Sequence, residues 1–447
     1  MKRKFSLMVV FTVLVFAFTA CGGGMTGDNS SNGQSAQTGK QENATESEKI
    51  ELTVSESTPN LSLKNFWDMC VNKFREQYPN YNLTMDWVPT SGPEEYYKTK
   101  IAAGEFSDVA RVFQPAILID GNIVQELPQE LQDMLIDPGF VKVKGKIYMM
   151  PNQLGALGIW YNKDMFKTAG IEKVPETWSE YIDACKKLKN AGFEAMGMAV
   201  KEGWYIAGYF DMLWSPVTYG ADPDWPKNRT EGKVKFNNSV SRRSLEQLQE
   251  TIPYWQQGAM SATYDQIKSL FYTGKVAMMC NGGVYNAAEL DSGEVNPEFE
   301  IGYMLPPQDD ASARRVNTFK DQLWTINSNA KDEKLQACVD FLKFFFSKGV
   351  YEEFLTANCA LPTVKGFESF VPNVKAPKAK IMLDEINAAV QKFRTVAHAH
   401  AAQGDNMWPD GCREMSEKMV QELAAGNSDF DKLLNLMDGQ WDKGIVK

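Results

Sequence analysis

Beyond residue 49, the apolar and polar positions follow two regular periods that take turns along the chain. Residues 50–55 alternate apolar and polar side chains, as do the residues around Leu83 to Trp87, and this period of two predicts strands. Between them, apolar residues recur at helical spacing: Leu63, Phe66, Trp67, Cys70, Val71 and Phe74. A second helix closing at Gly104 and a strand over residues 108–113 extend the series. The order β-α-β-α-β predicts a mainly parallel sheet covered by helices.

Helix start signals continue this alternation in the second half of the chain. Thr177-x-x-Glu180 and Thr263-x-x-Gln266 are capping boxes, and the second helix is predicted to stop at Gly274, before a strand over residues 276–280. From residue 382 to the end, apolar residues at helical spacing predict almost continuous helix. Strands alternating with helices predict an α/β fold with mixed, mainly parallel sheets flanked by helices.

The apolar pattern at the N-terminus is of a different kind. Three cationic residues, 2–4, precede an uncharged and largely apolar run over residues 5–20, and Cys21 follows. This arrangement is typical of an export signal, and the run is short for a spanning helix, which needs about 20 apolar residues. Phe18-Thr19-Ala20-Cys21 resembles a bacterial lipobox, which implies that Cys21 is lipidated and becomes the new N-terminus. An ordinary cleaved signal or a short anchor is the alternative.

Residues 22–48 are predicted to form a disordered tether. They consist mainly of Gly, Ser, Asn, Gln, Thr and Glu and contain no aromatic residue, so they bury too little apolar surface to offset the entropy of ordering. A flexible coil of this length spans roughly 30 Å. Together with the lipidation of Cys21, this predicts a protein anchored on the outer face of the cell membrane.

Composition and charge limit what the rest of the chain can be. After the signal and tether about 400 residues remain, too many for one hydrophobic core, so two lobes are expected. The chain is 43% hydrophobic with 11 Trp, which is enough to build two cores. Its net charge of -10 argues against nucleic acid or anionic lipid headgroups as partners.

Six cysteines beyond Cys21 leave two interpretations open. An even number in an exported protein permits disulfides, whereas positions on apolar helical faces favour buried free thiols. The six are Cys70, Cys185, Cys280, Cys338, Cys359 and Cys412.

Common catalytic motifs are absent from the sequence. The only histidines, His398 and His400, are two residues apart in a region predicted to be helical, so they would not share a face. The sequence has no H-E-x-x-H, G-x-S-x-G or phosphate-binding G-x-x-x-x-G-K-[ST] motif. We therefore expect no catalytic residue, no metal and no cofactor. A carboxylate pair of a glycoside hydrolase leaves no spacing signature, so a secreted hydrolase remains the alternative.

Aromatic residues instead lie beside predicted turns. Trp204 and Tyr205 follow a Glu202-Gly203 turn, Tyr285 follows a glycine pair, and Trp408 precedes Pro409. Rings at such places can stack on the C–H face of a sugar while nearby polar groups bind its hydroxyls. For each ring by itself, packing in a core is an equally good interpretation.

Several blocks of sequence resemble one known family. They are Gly145-Lys-Ile-Tyr-Met-Met-Pro151, Gly158-Ile-Trp-Tyr-Asn-Lys-Asp-Met-Phe166 and Pro175-Glu-Thr-Trp-Ser-Glu180, with further matches at residues 104–109 and 271–278. The chain resembles, over nearly all of residues 50–447, the extracellular solute-binding proteins (family 1) of carbohydrate ABC importers, of which maltose-binding protein is the best-known member.

The resemblance implies two α/β lobes of the periplasmic-binding-protein type II fold, with the ligand in the cleft between them. One lobe would comprise residues 49–155 and 318–360, and the other residues 156–317 and 361–447. It also implies a set of cleft-facing residues, beginning with the turn after the first strand and ending with a late tryptophan. These are Ser57, Thr58, Phe113, Gln114, Gln153, Glu202, Trp204, Tyr205, Tyr285, Asp321 and Trp408.

The function implied is capture without catalysis. A tethered, monomeric receptor would bind a sugar or oligosaccharide and pass it to the permease subunits of an ABC importer in the membrane. Two alternatives are a lipid-anchored glycoside hydrolase, and the same fold with a peptide, polyamine or other polar solute as its ligand. A cationic ligand should need several carboxylates in the cleft, whereas the implied positions are mostly aromatic or neutral.

Overall fold

The structure is a computed structural model that describes residues 49–89, 92–320, 322–399 and 402–445. The predicted signal, Cys21 and the predicted tether lie outside the described residues. The strands are β1 (Ile50–Ser57), β2 (Tyr81–Val88), β3 (Val109–Val112), β4 (Lys142–Val143), β5 (Lys146–Ile147), β6 (Met150–Pro151), β7 (Gly155–Asn162), β8 (Glu194–Gly197), β9 (Val276–Gly283), β10 (Ile301–Met304), β11 (Val316–Phe319), β12 (Leu323–Ile326) and β13 (Thr395–Ala397).

Helices cover these strands on most sides. They are α1 (Leu61–Gln77), α2 (Pro93–Ala103), α3 (Ala116–Asp120), α4 (Gln129–Gln132), α5 (Lys163–Thr168), α6 (Trp178–Asn190), α7 (Gly203–Ala221), α8 (Trp225–Thr230), α9 (Ser239–Thr251), α10 (Tyr264–Tyr272), α11 (Val284–Asp291), α12 (Asp332–Phe345), α13 (Val350–Asn358), α14 (Pro377–Lys392), α15 (Cys412–Ala424) and α16 (Phe430–Ile445).

The described strands form two large sheets and one short antiparallel pair, β4 with β5. The first has the order β2-β1-β3-β12-β6, and the second has the order β13-β11-β7-β9-β8 with β10 also paired to β7. β1 is parallel to β2 and β3, as the opening pattern of the sequence predicts. The central strand of the second sheet, β7, is antiparallel to β9, β10 and β11, so the sheets are mixed.

Each sheet has its own hydrophobic core. The first core surrounds Trp67, Trp324 and Phe345, and the second surrounds Trp160, Trp214 and Trp441. The chain passes from the first sheet to the second between β6 and β7 and returns between β11 and β12. A bridge between Leu154 and Leu361 adds a third link at the same place. Two separately packed cores joined by short segments can rotate relative to each other about those segments.

Local signals in the sequence account for several elements. Both predicted capping boxes form, at Thr177 with Glu180 and at Thr263 with Gln266, and each side chain bonds the backbone of the other residue. The prediction of almost continuous helix after residue 382 is wrong for residues 393–399 and 402–411. These residues contain β13, a short 3-10 helix (Gly404–Asn406) and irregular backbone, and Gly411, with a positive φ, directly precedes α15.

The six described cysteines are free and buried, which decides between the two interpretations of the sequence. Burial raises the pKa of the Cys280 thiol to about 12, so this thiol is protonated and packs as an apolar side chain. Within the described ranges, no helix combines the length and the apolar character that a membrane span requires.

Candidate ligand-binding site

A cavity lies where the two cores approach each other. On one side are the loop after β3 and the start of α3, residues 113–117. With the strand ends behind them, residues 56–58 and 111–112, they form what we call the first wall. On the other side is the irregular segment that leads into α15, residues 402–414, which we call the second wall. The cavity is lined by Phe113, Gln114 and Ile117 of the first wall and by Gln403, Met407, Trp408 and Arg413 of the second.

The cavity is narrow in this conformation. Its volume is about 60 Å³, well below the roughly 300–1,000 Å³ of typical small-molecule sites. A ligand the size of a sugar would therefore enter only if the two walls move apart.

A buried ion pair organises the first wall. Arg111 donates from Nε to the Glu56 carboxylate and from Nη2 to the Ser57 hydroxyl. Only 4% of Arg111 is exposed. Its guanidinium lies 4.5 Å from the centroid of the Phe113 ring, a cation–π contact. Arg111 therefore connects the turn after β1 to the loop after β3.

Burial also shifts the protonation of this pair. Desolvation raises the pKa of the Glu56 carboxyl above its usual value, and the positive charge of Arg111 opposes that shift. Neither Glu56 nor Arg111 is among the residues proposed from the sequence. The available signal is Arg111, a charged residue in the otherwise apolar strand β3, whereas Glu56 lies in a strand that alternates apolar and polar residues and does not stand out. Thr58, which was proposed, is exposed and bonds the Val88 carbonyl through its hydroxyl at 3.1 Å.

Aromatic packing organises the second wall. Trp408 is 9% exposed and donates from its indole Nε1 to the Tyr219 hydroxyl at 2.9 Å. Its ring lies 5.6 Å from that of Phe236 and 5.8 Å from that of Trp441, both in the second core. Most of the Trp408 ring is therefore core, and only part of it reaches the cavity.

The second wall also touches the first core directly. Gly404 has φ +65°, and a Cβ at this position would lie 2.7 Å from the Phe140 carbonyl oxygen. Next to it, the backbone N–H of Lys144 donates to the Asp405 carboxylate at 2.8 Å. Glycine is needed here both for the positive φ and for the close approach of the two backbones.

The Glu202-Gly203-Trp204 turn lies at the start of α7. Trp204 is half-buried, with its ring 5.2 Å from that of Tyr264. Gly203 approaches Glu417 so closely that a Cβ would lie 2.7 Å from a carboxylate oxygen. Burial raises the pKa of Glu417, and Arg413 pairs with it at 3.4 Å. Since Arg413 also lines the cavity, this turn adjoins the second wall without lining the cavity itself.

Tyr205 does not fit the role proposed from the sequence. Its side chain has no exposed surface and packs in the second core, with its hydroxyl 3.4 Å from the Gly197 carbonyl. It follows Trp204 on α7, so the two side chains point in different directions, and only Trp204 keeps an exposed part. Tyr205 therefore supports the turn and presents no ring face to solvent.

The remaining proposed residues are placed as follows. Gln153 is 3% exposed in the segment between β6 and β7, and among the described residues its side-chain oxygen has no hydrogen-bond partner. The side chain of Tyr285 and the whole of Asp321 lie outside what the structure describes. The structure thus brings Phe113, Gln114 and Trp408 to one cavity, with Ser57 joined to them through Arg111.

Two observations concern metal and histidine chemistry among the described residues. No group of three His, Cys, Asp or Glu side chains in the described part of the chain is arranged to hold a metal ion. Burial lowers the pKa of His398 to about 3, so its imidazole is neutral at pH 7. A base with so low a pKa is poorly matched to proton transfer near neutrality.

Comparison with known proteins agrees with this architecture. The sequence profile of the family described as "Bacterial extracellular solute-binding protein" matches residues 60–352. The multiple sugar-binding protein of Streptococcus mutans is 22% identical over 308 residues, which cover 66% of this chain and 71% of that protein.

Solved structures share the fold over most of the chain. A chitin oligosaccharide binding protein superposes with a TM-score of 0.75 at 21% identity, covering 90% of this chain and 100% of its own. RafE in complex with raffinose superposes with a TM-score of 0.70 at 17% identity, covering 89% of this chain and 100% of its own. At these identities the likeness establishes the two-lobed fold.

Proposed function

The chain belongs to the bacterial extracellular solute-binding proteins, and we propose that it captures a sugar or oligosaccharide between its two lobes for an ABC importer. The lobes we propose are residues 49–155 with 318–360, and residues 156–317 with 361–447. The change of sheet between β6 and β7 and between β11 and β12 supports this division.

The observation that carries the proposal is the composition of the cavity. Phe113 and Trp408 bring aromatic surface to it from opposite walls, while Gln114, Gln403 and Arg413 bring donors and acceptors. Sugars have apolar C–H faces bordered by hydroxyl groups, so rings and carboxamides together fit them. The names of a sequence relative and of two structural neighbours, which refer to multiple sugars, chitin oligosaccharide and raffinose, support the same ligand class.

The mechanism we propose is a hinge equilibrium. Because the two walls belong to different cores, a ligand that contacts both stabilises the closed arrangement relative to the open one. The size of the shift depends on how much more tightly the ligand binds the closed form than the open form. The closed form would then dock on the permease subunits and release the sugar to them.

We further propose that the protein works at the outer face of the cell membrane, held by a lipid on Cys21 and by the tether over residues 22–48. Anchoring raises the local concentration of receptor at the importer. A Cys21→Ala variant is expected to leave the membrane fraction after export. Membrane retention equal to that of the unchanged protein would contradict the anchor.

Isothermal titration calorimetry with a panel of mono- and oligosaccharides tests the central proposal, with chromatography of the same mixtures for products. Saturable binding with the sugar recovered intact is expected. Release of shorter sugars would replace the proposal with a glycoside hydrolase. Binding of a peptide or polyamine, with no response to any sugar, would keep the fold and reject the ligand class.

A further inference from the structure

One side chain in the cavity is unusual for a site that binds only hydroxylated sugars. Ile117, at the start of α3, lines the cavity and is 47% exposed. Met407, on the opposite wall, lines the same cavity, and we call Ile117 and Met407 together the aliphatic patch. An aliphatic side chain cannot bond a hydroxyl group, and its exposure to water is unfavourable. A ligand with a small apolar substituent would cover it.

A buried carboxamide lies in the same cavity. Gln403 is 3% exposed, and among the described residues its Oε1 atom has no hydrogen-bond partner. A buried acceptor without a donor is costly, so a ligand that brings an N–H or O–H group to this atom gains affinity. Gln403 by itself does not distinguish an N–H donor from an O–H donor. The aliphatic patch lines the same cavity and favours a donor attached to a methyl-bearing group.

The cavity also contains hydrogen-bond donors that can bind a carbonyl group of a ligand. The Gln114 carboxamide and the Arg413 guanidinium both line the cavity, and a guanidinium has further N–H groups beyond the one that Arg413 directs to Glu417. Two carboxylates, Asp410 and Glu414, line the cavity beside Arg413. Their negative charge disfavours an acidic sugar and leaves a neutral carbonyl as the better acceptor.

We propose that the ligand is an N-acetylated amino sugar or an oligosaccharide of such sugars, an inference that rests on the proposed function. The acetamido N–H would donate to Gln403, its carbonyl would accept from Gln114 or Arg413, and its methyl group would cover Ile117 and Met407. Each part of the acetamido group thus has a residue in the cavity that can bind it. A hydroxyl group at the same position could bind the polar residues but would not cover the aliphatic patch.

A matched pair of disaccharides tests the proposal. N,N′-diacetylchitobiose and cellobiose share the ring and the linkage and differ in acetamido against hydroxyl at carbon 2. Calorimetry on the full chain is expected to give at least tenfold tighter binding of diacetylchitobiose. Equal or tighter binding of cellobiose would overturn the inference. Binding of other sugars in the panel, with no binding of diacetylchitobiose, would also overturn the inference. In both cases the proposed function stands. No binding of any sugar would reject both.

Two variants link the preference to the aliphatic patch. Ile117→Thr keeps a branched side chain on an exposed position and is expected to reduce the affinity ratio of the two disaccharides at least threefold. Ile136→Thr is the control, because Ile136 is 41% exposed and does not line the cavity. An unchanged ratio in Ile117→Thr, or an equal reduction in Ile136→Thr, would contradict the proposed contact.

Discussion

The two walls of the cavity are held in place by different physical means. The first wall consists of strand ends, and its polar residues are fixed by the register of β1 and β3 and by the buried pair of Glu56 and Arg111. Before Cys412, the regular secondary structure of the second wall is limited to a short 3-10 helix, Gly404–Asn406. This wall is held by the packing of Trp408 into the second core and by the close contact of Gly404 with the first.

The two walls therefore differ in how firmly their side chains are held in place and in how easily their sequences can change. Hydrogen bonds between neighbouring strands fix a strand end, so a side chain such as Phe113 has a defined place before a ligand arrives. An irregular segment can change between related proteins without disturbing a sheet. We infer that the first wall supplies an aromatic and an aliphatic contact, through Phe113 and Ile117, and that the second wall supplies the buried carboxamide of Gln403.

The largest effect is expected from Arg111→Met in the first wall. Removing one partner of a buried ion pair leaves a buried charge and costs about 3–5 kcal/mol of unfolding free energy. Urea denaturation at neutral pH measures it. The control is Lys64→Met, because Lys64 pairs with Asp68 on the surface, with side chains 62% and 64% exposed. That variant should change the unfolding free energy by less than about 0.5 kcal/mol. Equal losses in the two variants would show that the first wall does not depend on the pair.

The same variant has a defined pH dependence. Since the pKa of Glu56 is raised in the folded protein, the folded state binds a proton at higher pH than the unfolded chain does. The destabilising contribution of this carboxylate is therefore absent below its unfolded pKa, grows as pH rises above that value, and is complete above the raised pKa. Without Arg111 the pKa rises further. The stability gap between Arg111→Met and the unchanged protein should narrow as pH falls from neutral toward the unfolded pKa of the carboxyl. A gap that widens would contradict this sign.

In the second wall, Gly404→Ala should be the most damaging small change. The positive φ costs a residue with a Cβ roughly 1–2 kcal/mol, and the contact with the Phe140 carbonyl oxygen adds about 1–3 kcal/mol of overpacking. Gly366→Ala is the matched control, since Gly366 has φ +87° and nothing within 4 Å of its Cβ position. Thermal unfolding should separate the two variants. If both lose the same stability, backbone strain alone explains the glycine.

Phe113→Ala tests whether the first wall contacts the sugar. The ring is half-buried and lines the cavity, so its loss should weaken sugar binding about tenfold, equal to about 1.4 kcal/mol. Calorimetry gives the affinity, and circular dichroism checks the fold. Phe370→Ala, also half-buried but outside the cavity lining, serves as the comparison. Unchanged affinity in Phe113→Ala would remove this ring from the site.

The two walls also differ in how far the sequence predicts them. Phe113 and Gln114 come directly after a buried strand that the sequence pattern predicts. Their position at the end of that strand is therefore predictable from the sequence. The pairing of Glu56 with Arg111 depends on which strands are neighbours, and the pattern of one strand does not contain that information. In the second wall, apolar spacing after residue 382 predicts helix, whereas Gly404, Pro409 and Gly411 interrupt it. Trp408 lines the cavity, and its contact with a ligand stays a prediction.

The smallest expected effect compares one carboxamide from each wall. Gln114 is partly exposed, so water can replace its bond to a ligand, and Gln114→Ala should weaken binding about fivefold, or about 1 kcal/mol. Gln403 is 3% exposed, and truncating it leaves the ligand donor without a partner in a buried place. Gln403→Ala should therefore weaken binding more than Gln114→Ala in the same titration. The reverse order would mean that the carboxamide of the first wall contributes more to binding than the buried one of the second wall.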